Sequence, residues 1–197
     1  MKRHTTESIE RLAQEVLRKA GALTIPTDLD KVLDSLNVRV HQEDMEADVS
    51  GVLIVKADQR HVLVNKAHPE NRQRFTIAHE LGHLVLHDDD ADKDADGKRM
   101  FIDRQIRVYQ RVGEASSSVY KEEGSLTDPM QEREANTFAA CLLMPFHHVA
   151  RASQERDLFD EISVAALARN FGVSEQAMSI RLQQLSVVEL NVVQSEL

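Results

Sequence analysis

Arg72-Gln73-Arg74-Phe75-Thr76-Ile77-Ala78-His79-Glu80-Leu81-Gly82-His83-Leu84-Val85-Leu86 decides how this chain is read. The stretch has no proline and a single glycine. Ile77, Leu81 and Leu84 form one apolar row, flanked by Ala78 and Val85, which is the spacing of an amphipathic helix. His79 and His83 fall on another row, beside Phe75, so the helix is expected to bury one side and present the histidine pair on another. Residues four apart on a helix sit one above the other, so the two imidazoles can offer nitrogens to one divalent ion while Glu80 is carried alongside. Such an ion polarises a carbonyl and lowers the pKa of water, and a neighbouring carboxylate can take the water's proton. These are the parts needed to hydrolyse a peptide bond.

Upstream, Ile9, Leu12, Ala13, Val16 and Leu17 give an amphipathic helix over Thr6 to Ala20, ended near Gly21. A second short helix is expected from Asp28 to Leu36. Val38 to His41, Gly51 to Lys56 and His61 to Asn65 are β-branched runs, the last two separated by turn residues 57–60. Downstream, Asp88 to Asp96 reads as a solvated acidic loop, since no glutamate closes the pattern a calcium loop requires. Phe101 to Val112 is a further candidate strand, and Gly113 to Leu126 reads as a loop. Asp128-Pro129-Met130-Gln131 carries the marks of a helix start: a capping aspartate, proline in the first turn and glutamine three residues after the cap. That helix buries Ala135, Phe138, Ala139 and Leu142 and stops at Pro145. The fold class that follows is α+β, a small and mostly antiparallel sheet packed with helices. Residues 1–150 are read as the main domain and 151–197 as a helical C-terminal extension.

Composition bounds the rest. The chain has 197 residues, 42 % of them hydrophobic but only 4 % aromatic and none tryptophan, so Leu, Val, Ile and Ala must build the core. A net charge of −9 disfavours broad attraction to nucleic acid. The one cysteine, Cys141, lies in an apolar helical run and reads as a core residue. No stretch resembles a signal peptide or approaches the ~20 apolar residues of a membrane span. A cytoplasmic protein with no membrane contact is expected.

A catalytic zinc centre wants a third protein ligand and one position for water. Asp89 stands ten residues after His79 but among five other aspartates, and position 86, where a glycine would break the helix, is Leu. His87, one turn beyond His83, cannot converge on the same ion because each turn rises ~5.4 Å, and it reads as a surface or supporting residue. The better candidates lie in Glu132-Arg133-Glu134-Ala135-Asn136. Glu132 and Asn136 share a face, whereas Glu134 is about 200° away from that row. On these residues alone Glu132 reads equally as a metal ligand or as an acid favoured by the helix dipole.

The order of a helical pair, a small sheet, His79-Glu80-Leu81-Gly82-His83 and then Glu132-Arg133-Glu134-Ala135-Asn136-Thr137-Phe138-Ala139-Ala140-Cys141-Leu142-Leu143-Met144-Pro145 resembles the ImmA/IrrE metallopeptidase family over roughly residues 6–185. The resemblance implies a gluzincin-like peptidase in which His79, His83 and Glu132 bind the metal and Glu80 is the base. It implies one Zn2+, with another divalent ion such as Mn2+ as the substitute. The substrate it implies is a protein, a helix-turn-helix repressor of the XRE type. Such a partner places the chain in stress, mobile-element or toxin–antitoxin regulation. The competing class is a non-proteolytic regulatory or toxin–antitoxin partner whose metal site is vestigial or structural. Arg104, Arg107, Tyr109, Tyr120, His147 and His148 are the candidates for stabilising an oxyanion.

At the C-terminus, Val164 to Ser174 is like the first helix and turn of a helix-turn-helix, and Met178 supplies the buried position of the second. Gln176, Arg181, Gln183 and Gln184 are expected on its exposed side. Arg169 and Arg181 are nearly the only cations there, which favours partner docking over DNA reading.

Overall fold

The computed structural model describes residues 3–56, 59–87, 98–103, 128–154 and 160–195. Helix α1 (Thr6–Ala20) opens on Thr5, whose side chain accepts from the Ser8 N–H, and buries the row Ile9, Ala13 and Leu17. It ends at Gly21, as the sequence suggests. Helix α2 (Leu29–Ser35) is capped by the Asp28 carboxylate on the Lys31 N–H. Strands β1 (Val38–Glu43), β2 (Gly51–Lys56) and β3 (Gln59–Asn65) follow, then helix α3 (Glu70–His87), strand β4 (Lys98–Asp103) and helix α4 (Pro129–Leu143). Helices α5 (Phe146–Ser153), α6 (Glu161–Phe171) and α7 (Glu175–Ser195) complete the chain.

The sheet has four strands in the order β1-β3-β2-β4. β2 pairs antiparallel with β3 and β4, whereas β1 pairs parallel with β3. The largely antiparallel sheet expected from the β-branched runs is therefore mixed at one edge. The reason lies in the connection between β1 and β2, which skips one strand position. β3 then returns into the gap, running the same way as β1. Leu53, Val55, Val62 and Val64 point alternately to one face and are buried there, as a half-buried sheet requires. Of the candidate strand over residues 101–112, β4 takes the beginning; the remainder, the loop over 113–126 and the acidic run lie outside the described residues.

Helix α3 departs from the simple amphipathic picture. Phe75, Ala78, Leu81 and Leu84 are buried, but so are Thr76, His79, Glu80, His83 and His87. The polar residues are covered rather than presented, because α4 lies along His79, His83 and His87 while β2 faces Thr76 and Glu80. Helix α4 begins as its sequence indicates, with Pro129 at the first turn and a reciprocal cap between Asp128 and Gln131. Ala135, Phe138, Ala139, Cys141 and Leu142 are fully buried. Burial pushes the Cys141 thiol pKa far above its ordinary value, in spite of the nearby Arg181 guanidinium, so it is inert core.

The C-terminal helices share this core: Leu167, Phe171, Met178 and Leu185 are buried in one continuous cluster with residues of α1, α3 and α4. Helix α5 has no counterpart among the helices expected from the sequence. Gln176, Gln183 and Gln184 are exposed as anticipated. Arg181 is not. It is 2 % exposed, donates through Nε to the Met144 carbonyl at 3.0 Å, and pairs through Nη2 with Glu10 Oε2 at 2.5 Å. The other Glu10 oxygen accepts from the Phe146 N–H at 3.1 Å. A cation that the likeness to a helix-turn-helix assigns to the surface goes inside, on the row of Met178 and Leu185, because α1 carries a carboxylate to meet it. No helix among the described residues is long and apolar enough to cross a membrane.

Removing one partner of a buried charge pair strands the other. Glu10→Ala is expected to cost about 3 kcal/mol in urea unfolding, whereas replacing both residues with apolar ones costs much less.

Candidate metal centre

The centre is built where α3 and α4 cross. A Cβ added to Gly82 would lie 2.9 Å from the Cα of Ala135 and 3.0 Å from its carbonyl oxygen. Only glycine at 82, against alanine at 135, lets the two backbones come this close. Glu132 and Glu134 flank Ala135, about 60° to one side and about 100° to the other at 3.6 residues per turn, so both can reach the covered row of α3.

His79 and His83 stand one turn apart with their Nε2 atoms 3.1 Å from each other and their ring planes at 78°. Glu132 closes the third side. Its Oε2 lies 3.2 Å from His79 Nε2 and its Oε1 3.4 Å from His83 Nε2. One ligand atom from each residue lies within 4.8 Å of the others, so the three could hold one metal ion. On the far side of the first imidazole, Nδ1 of His79 is 3.1 Å from Asn136 Oδ1. An amide oxygen only accepts, so Nδ1 carries the proton and Nε2 turns its lone pair inward. The imidazole side chains are 1 % exposed and that of Glu132 24 %, so the cluster meets solvent on the glutamate side.

The electrostatics fit a cation. Burial pushes the His83 pKa down to about 4, overriding the Glu132 carboxylate that works the other way. Burial would raise the Glu132 carboxyl, but hydrogen bonds and charge from His79 and His83 outweigh it and hold it well below the usual carboxylate range. Near neutral pH His83 is thus an unprotonated donor and Glu132 a carboxylate. Two nitrogens and an oxygen are a set that suits zinc.

Glu80 follows His79 on the same helix and is wholly buried. A Cβ on Gly51, the first residue of β2, would lie 3.3 Å from Glu80 Oε1 and 2.4 Å from Thr76 Cγ2. The Glu80 carboxylate therefore sits against bare backbone. His87 is not a surface residue: it is 1 % exposed, with Nε2 3.7 Å from Glu134 Oε2 and its ring 5.6 Å from that of His83. Glu134, 5 % exposed, also accepts from the His4 N–H at 2.9 Å. Angles taken from Glu132 turn Glu134 away from the row. Measured from Ala135, the pairing could have been found. His147 is exposed and His148 half-buried on α5, and neither belongs to the donor cluster. Asp89, Arg104, Arg107, Tyr109 and Tyr120 lie outside the described residues.

The family model of the IrrE N-terminal-like domain, Peptidase_M78, matches residues 33–183. The chain belongs to the ImmA/IrrE metallopeptidase family. No curated protein matches it. Membership implies a metallopeptidase-type hydrolase domain, and the His79-His83-Glu132 cluster agrees with it. The family match runs from α2 into α7 and so includes much of the C-terminal helical region.

Glu132→Ala is expected to abolish stoichiometric zinc binding measured by metal analysis after dialysis, while Glu134→Ala retains it. Gly82→Ala should cost roughly 1–3 kcal/mol by overpacking, and zinc affinity with it. The zinc-free protein should also be acid-labile. Unfolded His83 takes up a proton as pH falls through about 6.5 and folded His83 only near 4, so stability is lost across that window and further as Glu132 protonates. Thermal melts of chelator-treated protein between pH 7 and pH 4 measure the loss.

Proposed function

We propose that this chain is a zinc-dependent endopeptidase that cleaves a helix-turn-helix repressor of the XRE type and so relieves repression. The observation that carries the catalytic half is the convergence of two buried imidazoles and one carboxylate, with a glutamate following the first histidine on the same helix. His79, His83 and Glu132 would hold the ion, and Asn136 fixes the tautomer of His79. When bound there, a divalent ion supplies polarisation of the scissile carbonyl and a lowered pKa for water. Glu80 takes the proton from the attacking water as the new carbon–oxygen bond forms. It then gives that proton to the amine nitrogen as the carbon–nitrogen bond breaks. The buried setting of Glu80 favours this double duty, because a carboxylate shielded from bulk water keeps the proton for the leaving group.

The choice of a protein substrate rests on the family and on where the charges lie. The chain is acidic, and Arg181, one of the two arginines of the helix-turn-helix-like segment, is spent inside the fold on Glu10. Reading DNA would need that cation at the surface. The exposed Gln176, Gln183 and Gln184 instead offer a neutral polar face for a protein partner.

Incubation of the zinc-loaded chain with the helix-turn-helix repressor encoded beside it should yield a cleaved fragment on denaturing gels. Glu80→Gln should retain the metal and lose hydrolysis by at least about a hundredfold, as loss of a general base does. An intact repressor with fully zinc-loaded wild type would overturn the reading and leave a non-proteolytic regulatory module.

A further inference from the structure

Helix α3 fixes the Cα of Glu80 but not its side-chain torsions. One surface that limits those is the backbone of Gly51, where an added Cβ would lie 3.3 Å from Glu80 Oε1. Where Gly51 stands is decided by the connection 44–50, which joins β1 to β2 without regular structure. Asn65, the last residue of β3 and only 1 % exposed, clasps that connection. Its Nδ2 donates to the Val49 carbonyl at 3.0 Å and the Glu46 carbonyl at 3.1 Å, with the Met45 carbonyl further off at 3.5 Å. Its Oδ1 accepts from the Ala67 N–H at 3.0 Å, and its own backbone N–H donates to the Ser50 carbonyl at 3.0 Å. Two amide protons facing three carbonyls put most of the interaction into the two short bonds.

A second tie runs from the helix itself. Ser50 is 1 % exposed, and its hydroxyl accepts from Arg72 Nη2 at 3.1 Å. Arg72 lies two turns before Glu80 on α3. The element carrying the carboxylate is thereby bonded to the residue just before the backbone that confronts it.

We propose that Asn65 is a positioning residue for hydrolysis. By clasping residues 45–49 it sets Gly51 against Thr76 and Glu80 and holds the Glu80 carboxylate in the orientation that accepts a proton. This rests on Glu80 being the general base. An amide is the side chain the place demands: a carboxylate would face carbonyl oxygens without a proton to give, and an apolar residue would strand buried acceptors. The hydrogen bonds of the clasp go to residues 45–50 and 67 rather than to His79, His83 or Glu132, so metal binding and proton transfer are separable.

The test uses the full zinc-loaded chain and acetohydroxamic acid, which chelates a divalent ion through two oxygens and passes a proton to a neighbouring carboxylate. Binding is followed by calorimetry, with zinc content measured in parallel. Asn65→Ala should keep its zinc and bind acetohydroxamate about tenfold more weakly, as misorientation of a supporting group does. Amide hydrogen exchange across residues 44–52 should quicken in the same variant. Ser50→Ala, a milder change that severs the Arg72 tie alone, should shift binding in the same direction by less, and it carries the test should Asn65→Ala not fold. Wild-type affinity in a zinc-loaded Asn65→Ala, or loss of zinc in step with loss of binding, would overturn the proposal. Glu80→Gln is the control. Unchanged binding there would remove the base assignment itself, a failure distinct from Asn65→Ala alone behaving as wild type.

Discussion

The close crossing of α3 and α4 is the constraint on which the rest depends. Side chains ordinarily keep helix axes 8–10 Å apart, and a glutamate one turn into α4 must reach two imidazoles on α3. With hydrogen at 82 and a methyl group at 135, the backbones approach until there is no room for another carbon. Glu132 then comes within 3.2 and 3.4 Å of the two Nε2 atoms, and Asn136, one turn on, reaches His79 from behind. One small contact thus brings a third donor beside the two imidazoles and the group that orients one of them.

The crossing also explains why a polar row is buried at all. Thr76, His79, Glu80, His83 and His87 would be costly to remove from water singly. They go inside because α4 and β2 bring matching chemistry: Glu132 for the first two histidines, Glu134 for His87, and bare backbone at Gly51 where Glu80 needs space. Burial disfavours charge on His83, so it resists protonation, whereas hydrogen bonds and charge from the two histidines outweigh burial and keep Glu132 ionised. Helix α3 is therefore a central element between sheet and helix, although its apolar row alone would make it a one-sided surface helix.

The C-terminal helices show the same principle with a single ion pair. Arg181 binds α7 to Glu10 of α1 and to the carbonyl that ends α4, so the segment that looks like a helix-turn-helix is fastened to the helix carrying Glu132. Gln176, Gln183 and Gln184 are exposed on α7 beside Glu175. The family match, which runs from residue 33 to residue 183, includes Arg181 and Met144 of this fastening point but not Glu10.

Much of this was legible from local pattern. The amphipathic row of α1, the cap at Asp128, the β-branched strands and the i, i+4 histidines each depend on neighbours within a turn or two, and those are printed in the order of residues. The family string supplied Glu132 where spacing left it level with a dipole effect. Tertiary structure alone decided the parallel pairing of β1, the inward turn of Arg181, the pairing of His87 with Glu134 and the clasp of Asn65 on the loop before Gly51. Each of these joins residues far apart in the chain, and a periodicity says which face a side chain occupies but not what stands opposite it. The sequence by itself determined which groups could bind a metal and move a proton. The packing of α3 against α4 and β2 decided which of them are brought together, because burial is a property of the partner surface and not of the residue.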